Sequence, residues 1–204
     1  MDLGDKAMRE AKINRKTKET DISLWLNLDG KGESEIDTGI GFLDHMLTGF
    51  SKHSFIDLKV KCKGDLEVDG HHSVEDIGIC LGAAIKQAVG DKAGINRYGY
   101  FIMPMDDALV LSSIDLCDRT YFNYDLKIPS FKVGELETEL VREFFYAISY
   151  SAGMNLHLKM LDGINSHHII EAAFKAFAKA VSSAVSFNPK VEGALSSKGS
   201  LKML

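Results

Sequence analysis

The sequence predicts an α+β fold of two similar halves, each an antiparallel sheet backed by helices. Three observations predict it. The motif HHxxE occurs twice, as His71-His72-Ser73-Val74-Glu75 and His167-His168-Ile169-Ile170-Glu171, the second copy 96 residues after the first in a chain of 204. A shuffled chain of this composition would hold about 0.01 copies. Each copy opens an apolar run at helical spacing, Ile77, Leu81, Ile85 and Val89 in one, Phe174, Phe177 and Val181 in the other. An alternating strand precedes each motif, and a short helix precedes each strand.

The elements follow in order. The first half, residues 1–95, holds strand structure near 20–28, a helix near 42–50, a strand near 55–61 and the helix that starts at His71. The second half, residues 96–190, holds strands within 98–114 and 119–126, a helix near 140–149, a strand near 154–160 and the helix that starts at His167. Each half reads strand, strand, helix, strand, helix. Residues 191–204 form a C-terminal tail. The two short helices carry His45 and Glu143 in matching places, 26 and 24 residues before their HH pairs.

Composition narrows the function classes. The chain is 45% hydrophobic and 26% charged, which excludes disordered and low-complexity classes. A net charge of −5 argues against nucleic-acid binding. No stretch approaches the roughly 18 apolar residues of a membrane span, and the N-terminus has no signal-peptide pattern. The three cysteines, Cys62, Cys80 and Cys117, form no CxxC and read as reduced residues of a cytoplasmic protein.

The histidine motifs read as metal sites. On a helix, positions i and i+4 share a face and i and i+1 diverge by about 100°. His71 and Glu75 therefore grip one ion while His72 points elsewhere, and His167, Glu171 and His168 behave alike. Pseudo-twofold symmetry gives one site of His45, His72, His167 and Glu171, and another of His71, Glu75, Glu143 and His168. Imidazole and carboxylate without thiolate suit six-coordinate Mn²⁺ or Fe²⁺, or Zn²⁺. His157 sits mid-strand and reads as structural. His53, beside the first strand, counts among the candidate substrate contacts. Arg97, Arg119 and the tail Ser196-Ser197-Lys198-Gly199 carry the groups a phosphate needs.

The segments Gly41-Phe42-Leu43-Asp44-His45-Met46-Leu47, Gly70-His71-His72-Ser73-Val74-Glu75-Asp76, Ser166-His167-His168-Ile169-Ile170-Glu171-Ala172 and Ser196-Ser197-Lys198-Gly199 resemble the imidazoleglycerol-phosphate dehydratase family of histidine biosynthesis. The resemblance runs from about Arg15 to Gly199. It implies a ribosomal protein S5 domain 2-like fold and two Mn²⁺ per subunit, partitioned as the symmetry gives. It implies that Arg97, Arg119, Ser197 and Lys198, with Gly199 beside them, hold the substrate phosphate. Substrate contacts also fall on Glu19 and on the metal-site residues His45, His71, His72, Glu75, His167, His168 and Glu171. Glu19, Glu171 and His72 are the candidate catalytic residues. The implied reaction converts imidazoleglycerol phosphate to imidazole-acetol phosphate through an imidazolate held between the two ions. The implied assembly is a shell of 24 subunits with active sites between them. Glu143 departs from many relatives, which carry His there. Two other classes stay open on the residues alone. A binuclear hydrolase would tolerate substrates lacking imidazole. A metal-stabilised shell protein would not need Arg97, Arg119 and Lys198.

Overall fold

The computed structural model describes residues 8–197. In the first half, β1 (Glu10–Lys16), β2 (Thr20–Asn27), β3 (Ser34–Asp37), α1 (Gly41–Ser54), β4 (Asp57–Gly64) and α2 (His71–Val89) follow one another. In the second half come β5 (Tyr98–Met105), β6 (Ala108–Asp115) and β7 (Tyr121–Asp125). A small ribbon follows, β8 (Lys132–Val133) with β9 (Leu136–Glu137), then α3 (Glu139–Ala152), β10 (Asn155–Asp162) and α4 (Ser166–Val185).

The strand orders are β1-β2-β4-β3 and β5-β6-β10-β7, the same arrangement twice. The expected all-antiparallel sheets need correction, because β3 pairs with β4, and β7 with β10, in parallel. The intervening helix is the cause. A crossover through α1 or α3 brings the chain back running in the same direction. Four strands also escaped the sequence reading, among them the two-residue β8 and β9. β1 is interrupted by lysines on its exposed face, and β3 has only four residues.

Helices α1 and α2 lie on the first sheet, α3 and α4 on the second, and the helical layers meet as α1 on α4 and α2 on α3. The apolar runs predicted from spacing are all buried, Ile77, Leu81, Ile85 and Val89 on α2, Phe174, Phe177 and Val181 on α4. Phe145 sits 4.8 Å from Phe174 and 5.4 Å from Phe177, and Phe50 stacks on Phe177 at 5.6 Å. Such ring pairs add about 0.5–1.5 kcal/mol each beyond burial. On the other seam α2 and α3 approach closely at Gly78 and Gly82. A Cβ there would stand 2.7 Å from the Phe144 carbonyl oxygen and 2.6 Å from that of Ile148.

The repeat extends to single atoms. Ser51 Oγ donates to the Ile56 carbonyl at 2.7 Å, and Ser149 Oγ to the Met154 carbonyl at 2.9 Å, each fastening a helix end to the strand that follows. By the same alignment His45 and Glu143 are both the fifth residue of their helices.

Candidate functional site

Three of the predicted ligands converge where α1 meets α4. His45, His167 and Glu171 each offer a ligand atom, and these atoms lie within 4.8 Å of one another. His167 Nε2 is 3.0 Å and His45 Nε2 3.7 Å from Glu171 Oε2. The i, i+4 spacing on α4 makes the first contact. The seam of the repeat makes the second. Asn165 caps α4, accepting the amides of His167 and His168 at 2.9 and 3.2 Å, so both histidines start the first turn in fixed positions. Glu171 Oε1 accepts from the Lys175 ammonium at 2.7 Å. Burial pushes the Glu171 carboxyl up, but Lys175 and the His167 hydrogen bond outweigh it and hold it below its ordinary value. Metal–nitrogen bonds of about 2.0–2.1 Å put opposite ligand atoms roughly 4 Å apart. Two imidazoles and one carboxylate at this spacing fit a first-row divalent ion.

The second histidine of each motif faces a different neighbourhood. His72 Nδ1 contacts Asp65 Oδ2 at 3.0 Å, and its Nε2 lies 3.8 Å from Glu19 Oε1. His168 Nδ1 contacts Asp107 Oδ1 at 2.5 Å, and its Nε2 lies 3.5 Å from Asp106 Oδ2. Those aspartates raise both imidazoles, the Asp65 and Asp107 hydrogen bonds being the largest causes. Asp107 itself is held well below the carboxylate range by His168 and then by the amides of Ile164 and Asn165. Glu19 occupies the β1–β2 turn. Thr20 Oγ1 donates to Asp76 on α2 at 2.6 Å, and the Arg15 guanidinium joins Asp76 at 2.9 Å. The turn is thereby pinned over the start of α2, which brings Glu19 to His72.

The remaining predicted ligands are placed but not gathered. His71 and Glu75 are half-buried on α2, and Asp69 accepts the His71 amide at 2.8 Å. Glu143 Oε1 accepts from the adjacent Arg142 at 2.8 Å. Among the described residues, His45, His167 and Glu171 are the one set of ligand atoms that converges. His72 lies outside that set.

A cleft of about 890 Å³ brings together Arg97, Tyr98, Arg119, Lys190, Ser196 and Ser197. Arg97 gives Nε and one amino group to Asp115 at 2.7 and 2.9 Å, and the other to the Leu195 carbonyl at 2.7 Å. It ties the C-terminal segment to the second sheet. Arg119 is exposed, and no hydrogen bond or ion pair engages its guanidinium among the described residues. Its backbone carbonyl is fixed by Asn155 Nδ2 at 2.6 Å. Lys198 and Gly199 lie outside the described residues.

His53 faces the same α1–α4 seam. Burial, then the charges of Lys175 and Lys179, push its imidazole below the usual value. His157 is exposed on β10, its ring 5.4 Å from that of Tyr121. Sequence reasoning missed Asp65, Asp106, Asp107, Lys175 and Lys190. Of these only Lys175 carried a local signal, the i+4 spacing from Glu171.

Comparison with known proteins identifies the family. The imidazoleglycerol-phosphate dehydratase family profile matches residues 38–181. The chain is 62% identical over 194 residues to the imidazoleglycerol-phosphate dehydratase of Lachnoclostridium phytofermentans, covering 95% of this chain and 99% of the relative. It is 54% identical over 193 residues to that of Acetivibrio thermocellus, again 95% and 99%. The Staphylococcus aureus enzyme superposes with a TM-score of 0.80 at 36% identity, covering 88% of this chain and 99% of that one. The Pyrococcus furiosus enzyme, solved in complex with (S)-C348, gives 0.79 at 38%, covering 92% and 99%. The chain belongs to the imidazoleglycerol-phosphate dehydratase family, hydro-lyases of histidine biosynthesis.

Proposed function

We propose that this chain dehydrates imidazoleglycerol phosphate to imidazole-acetol phosphate with two Mn²⁺ ions per subunit. The convergence of His45, His167 and Glu171 at the α1–α4 seam carries this reading. These three, completed by His72, hold one ion; His71, Glu75, Glu143 and His168 hold the other. Bound there, the ions would supply Lewis acidity to the substrate imidazole, favouring its anionic form and so the departure of the neighbouring hydroxyl, which would leave as water with the proton that the ring gives up. Arg119, with Ser197 and Lys198, binds the phosphate and fixes the carbon chain against the ligands. Arg97 fastens the tail that bears Ser197.

The proton on the carbon bearing the second hydroxyl leaves to a carboxylate. Both Glu171 oxygens are engaged, one by Lys175 and one by His167. Glu19 is exposed, with His72 Nε2 at 3.8 Å. Glu19 is therefore the base, in the turn that Thr20 and Arg15 pin to Asp76. Loss of that proton leaves the enol, which becomes the ketone.

Stripping the protein with a chelator should abolish ketone formation from imidazoleglycerol phosphate, and Mn²⁺ should restore it. Full turnover by the metal-free protein would sink the reading. Arg119→Ala should weaken substrate binding by about 2–5 kcal/mol, and inorganic phosphate should cease to inhibit. Unchanged phosphate inhibition would remove Arg119 from the clamp.

The reading extends to a shell of 24 subunits with sites between them. His72 stands apart from the convergent set within one chain. The outer face of the second sheet exposes Tyr98, Tyr100, Ile102 and Tyr121, whereas that of the first carries Lys12, Lys16, Lys59, Lys61 and Lys63. An exposed apolar patch of that kind marks an interaction surface. Metal bound only by the assembled state stabilises it by mass action, so chelation should shift the sedimenting particle to smaller species. A large particle unchanged after complete metal removal would refute that linkage.

A further inference from the structure

The two histidines that follow the first of each pair, His72 and His168, are held alike by residues the repeat does not relate. Asp65 immediately follows β4 and lies in the turn that its carbonyl closes with the Val68 amide at 2.8 Å. Asp107 sits in the β5–β6 turn, 61 residues before His168. By sheet order, β5–β6 corresponds to β1–β2, so the repeat counterpart of that turn carries Glu19 rather than Asp65. Yet both carboxylates meet the same ring atom, Nδ1, at 3.0 and 2.5 Å. The same contact reached from different loops is not an inheritance of duplication.

Each carboxylate leaves the other ring nitrogen available. His72 Nε2 stands 3.8 Å from Glu19 and His168 Nε2 stands 3.5 Å from Asp106, beyond an ordinary hydrogen bond. Asp107 is itself immobilised, because its second oxygen accepts the Ile164 and Asn165 amides at 2.7 and 2.9 Å. Those amides lie at the entry to α4, so the carboxylate, the ring and the helix start are one unit. A carboxylate accepting from Nδ1–H fixes the tautomer whose lone pair is on Nε2, and fixes the direction in which it points.

The geometry points to Asp65 and Asp107 as positioning residues that present the Nε2 atoms of His72 and His168 to a divalent metal ion. This rests on the two-metal reading above and names the residues that orient its ligands.

The test is Mn²⁺ titration of chelator-stripped protein, with the free ion measured by electron paramagnetic resonance. The parent should bind two Mn²⁺ per chain. Asp65→Ala and Asp107→Ala should each bind one of the two about 10–100-fold more weakly, the range for loss of such an outer partner. The double variant should weaken both. Asp65→Asn and Asp107→Asn keep an oxygen for Nδ1–H but lose its charge, and should fall at least about threefold. Asp69→Asn removes a nearby charge that meets a backbone amide rather than a ring, and should bind as the parent does. The metal-free melting temperature of the Asn variants should stay near the parent's while affinity falls. Parental affinity in the Ala variants, or in the Asn pair if the Ala variants do not fold, would overturn the assignment. So would a melting temperature that falls in step with affinity, which would make the carboxylates supports of the fold. A parent that binds no Mn²⁺ removes the two-metal reading and this one together; a loaded parent with unchanged variants removes this one alone.

Discussion

The α1–α4 and α2–α3 seams are built from equivalent elements, yet among the described residues one gathers three ligand atoms within a single chain and the other gathers no such set. The difference lies in anchors, not in backbone. On α4, Lys175 takes one oxygen of Glu171 and turns the other towards His167. The equivalent place on α2 is Ile79, so Glu75 has no such lysine. On α3, Glu143 turns to Arg142, whereas His45 on α1 turns to Glu171. Duplication supplied two scaffolds. Ligand orientation depends on partners specific to each half.

The sharpest way to break this comparison is to remove one carboxylate from each seam. Glu171→Ala and Glu75→Ala should each cost one ion per chain and lower turnover by more than the about 10–100-fold that follows loss of an outer partner. Metal analysis and ketone formation check it. If Glu75→Ala retains both ions with full turnover, the second seam is no metal site and the asymmetry is one of function.

Glu143 tests the same point with a smaller step. Glu143→Ala should lower the occupancy of the second ion and cut activity strongly, whereas loss of a surface carboxylate changes stability by less than about 0.5 kcal/mol. Glu143→His should retain both ions, since an imidazole then stands where His45 stands on α1. Two tightly held Mn²⁺ and normal turnover in Glu143→Ala would return the residue to its Arg142 ion pair.

Lys175 accounts for the order of the first seam, so Lys175→Met should make it resemble the second. Glu171 would keep its burial but lose the ammonium, a stability cost of about 1–3 kcal/mol, with weaker binding of the first ion. Thermal melts with and without Mn²⁺ separate the two effects. An unchanged melt and unchanged affinity would mean that His45 and His167 alone order Glu171.

These contrasts mark where the sequence is legible. The doubled HHxxE and the matched positions of His45 and Glu143 needed only helical spacing and counting, and the layers and repeat follow them. Both parallel strand pairs were missed because alternation reports burial of a face and says nothing of strand direction. Lys175 is four residues from Glu171 on one helix, and nothing in that spacing alone sets it apart from other helix charges. Asp106 and Asp107 lay inside the stretch 98–114 read as strand, because only the fold carries the β5–β6 turn to the start of α4. The engagement of Arg97 by Asp115 was invisible for the same reason, Arg97 lying just before β5 and Asp115 at the end of β6. Spacing reveals what one helix does; partners delivered by another element appear only when the chain is folded.

His53 gives the smallest predicted effect and confines it to one seam. Its counterpart under the helix alignment is Ser151 on α3, so no titratable group stands at that place in the second half. Lys175, Lys179 and Lys52 face His53 and disfavour its protonation, with Glu171 opposing them and burial adding the largest push downward. A folded-state value below the unfolded one, about 6.5, means that the unfolded chain takes up this proton more readily. The stability difference is fully present above that value and is lost as pH falls through the folded value. His53→Gln removes the titration, so the acid loss of melting temperature should become shallower below about pH 6.5, with little change above it. Melts of the metal-free parent and variant across pH 5 to 8 check it, and the difference between them isolates His53 from His72 and His168, which are shifted upward. Parallel curves for parent and variant would place the acid sensitivity elsewhere and leave the α1–α4 seam no more pH-dependent than α2–α3.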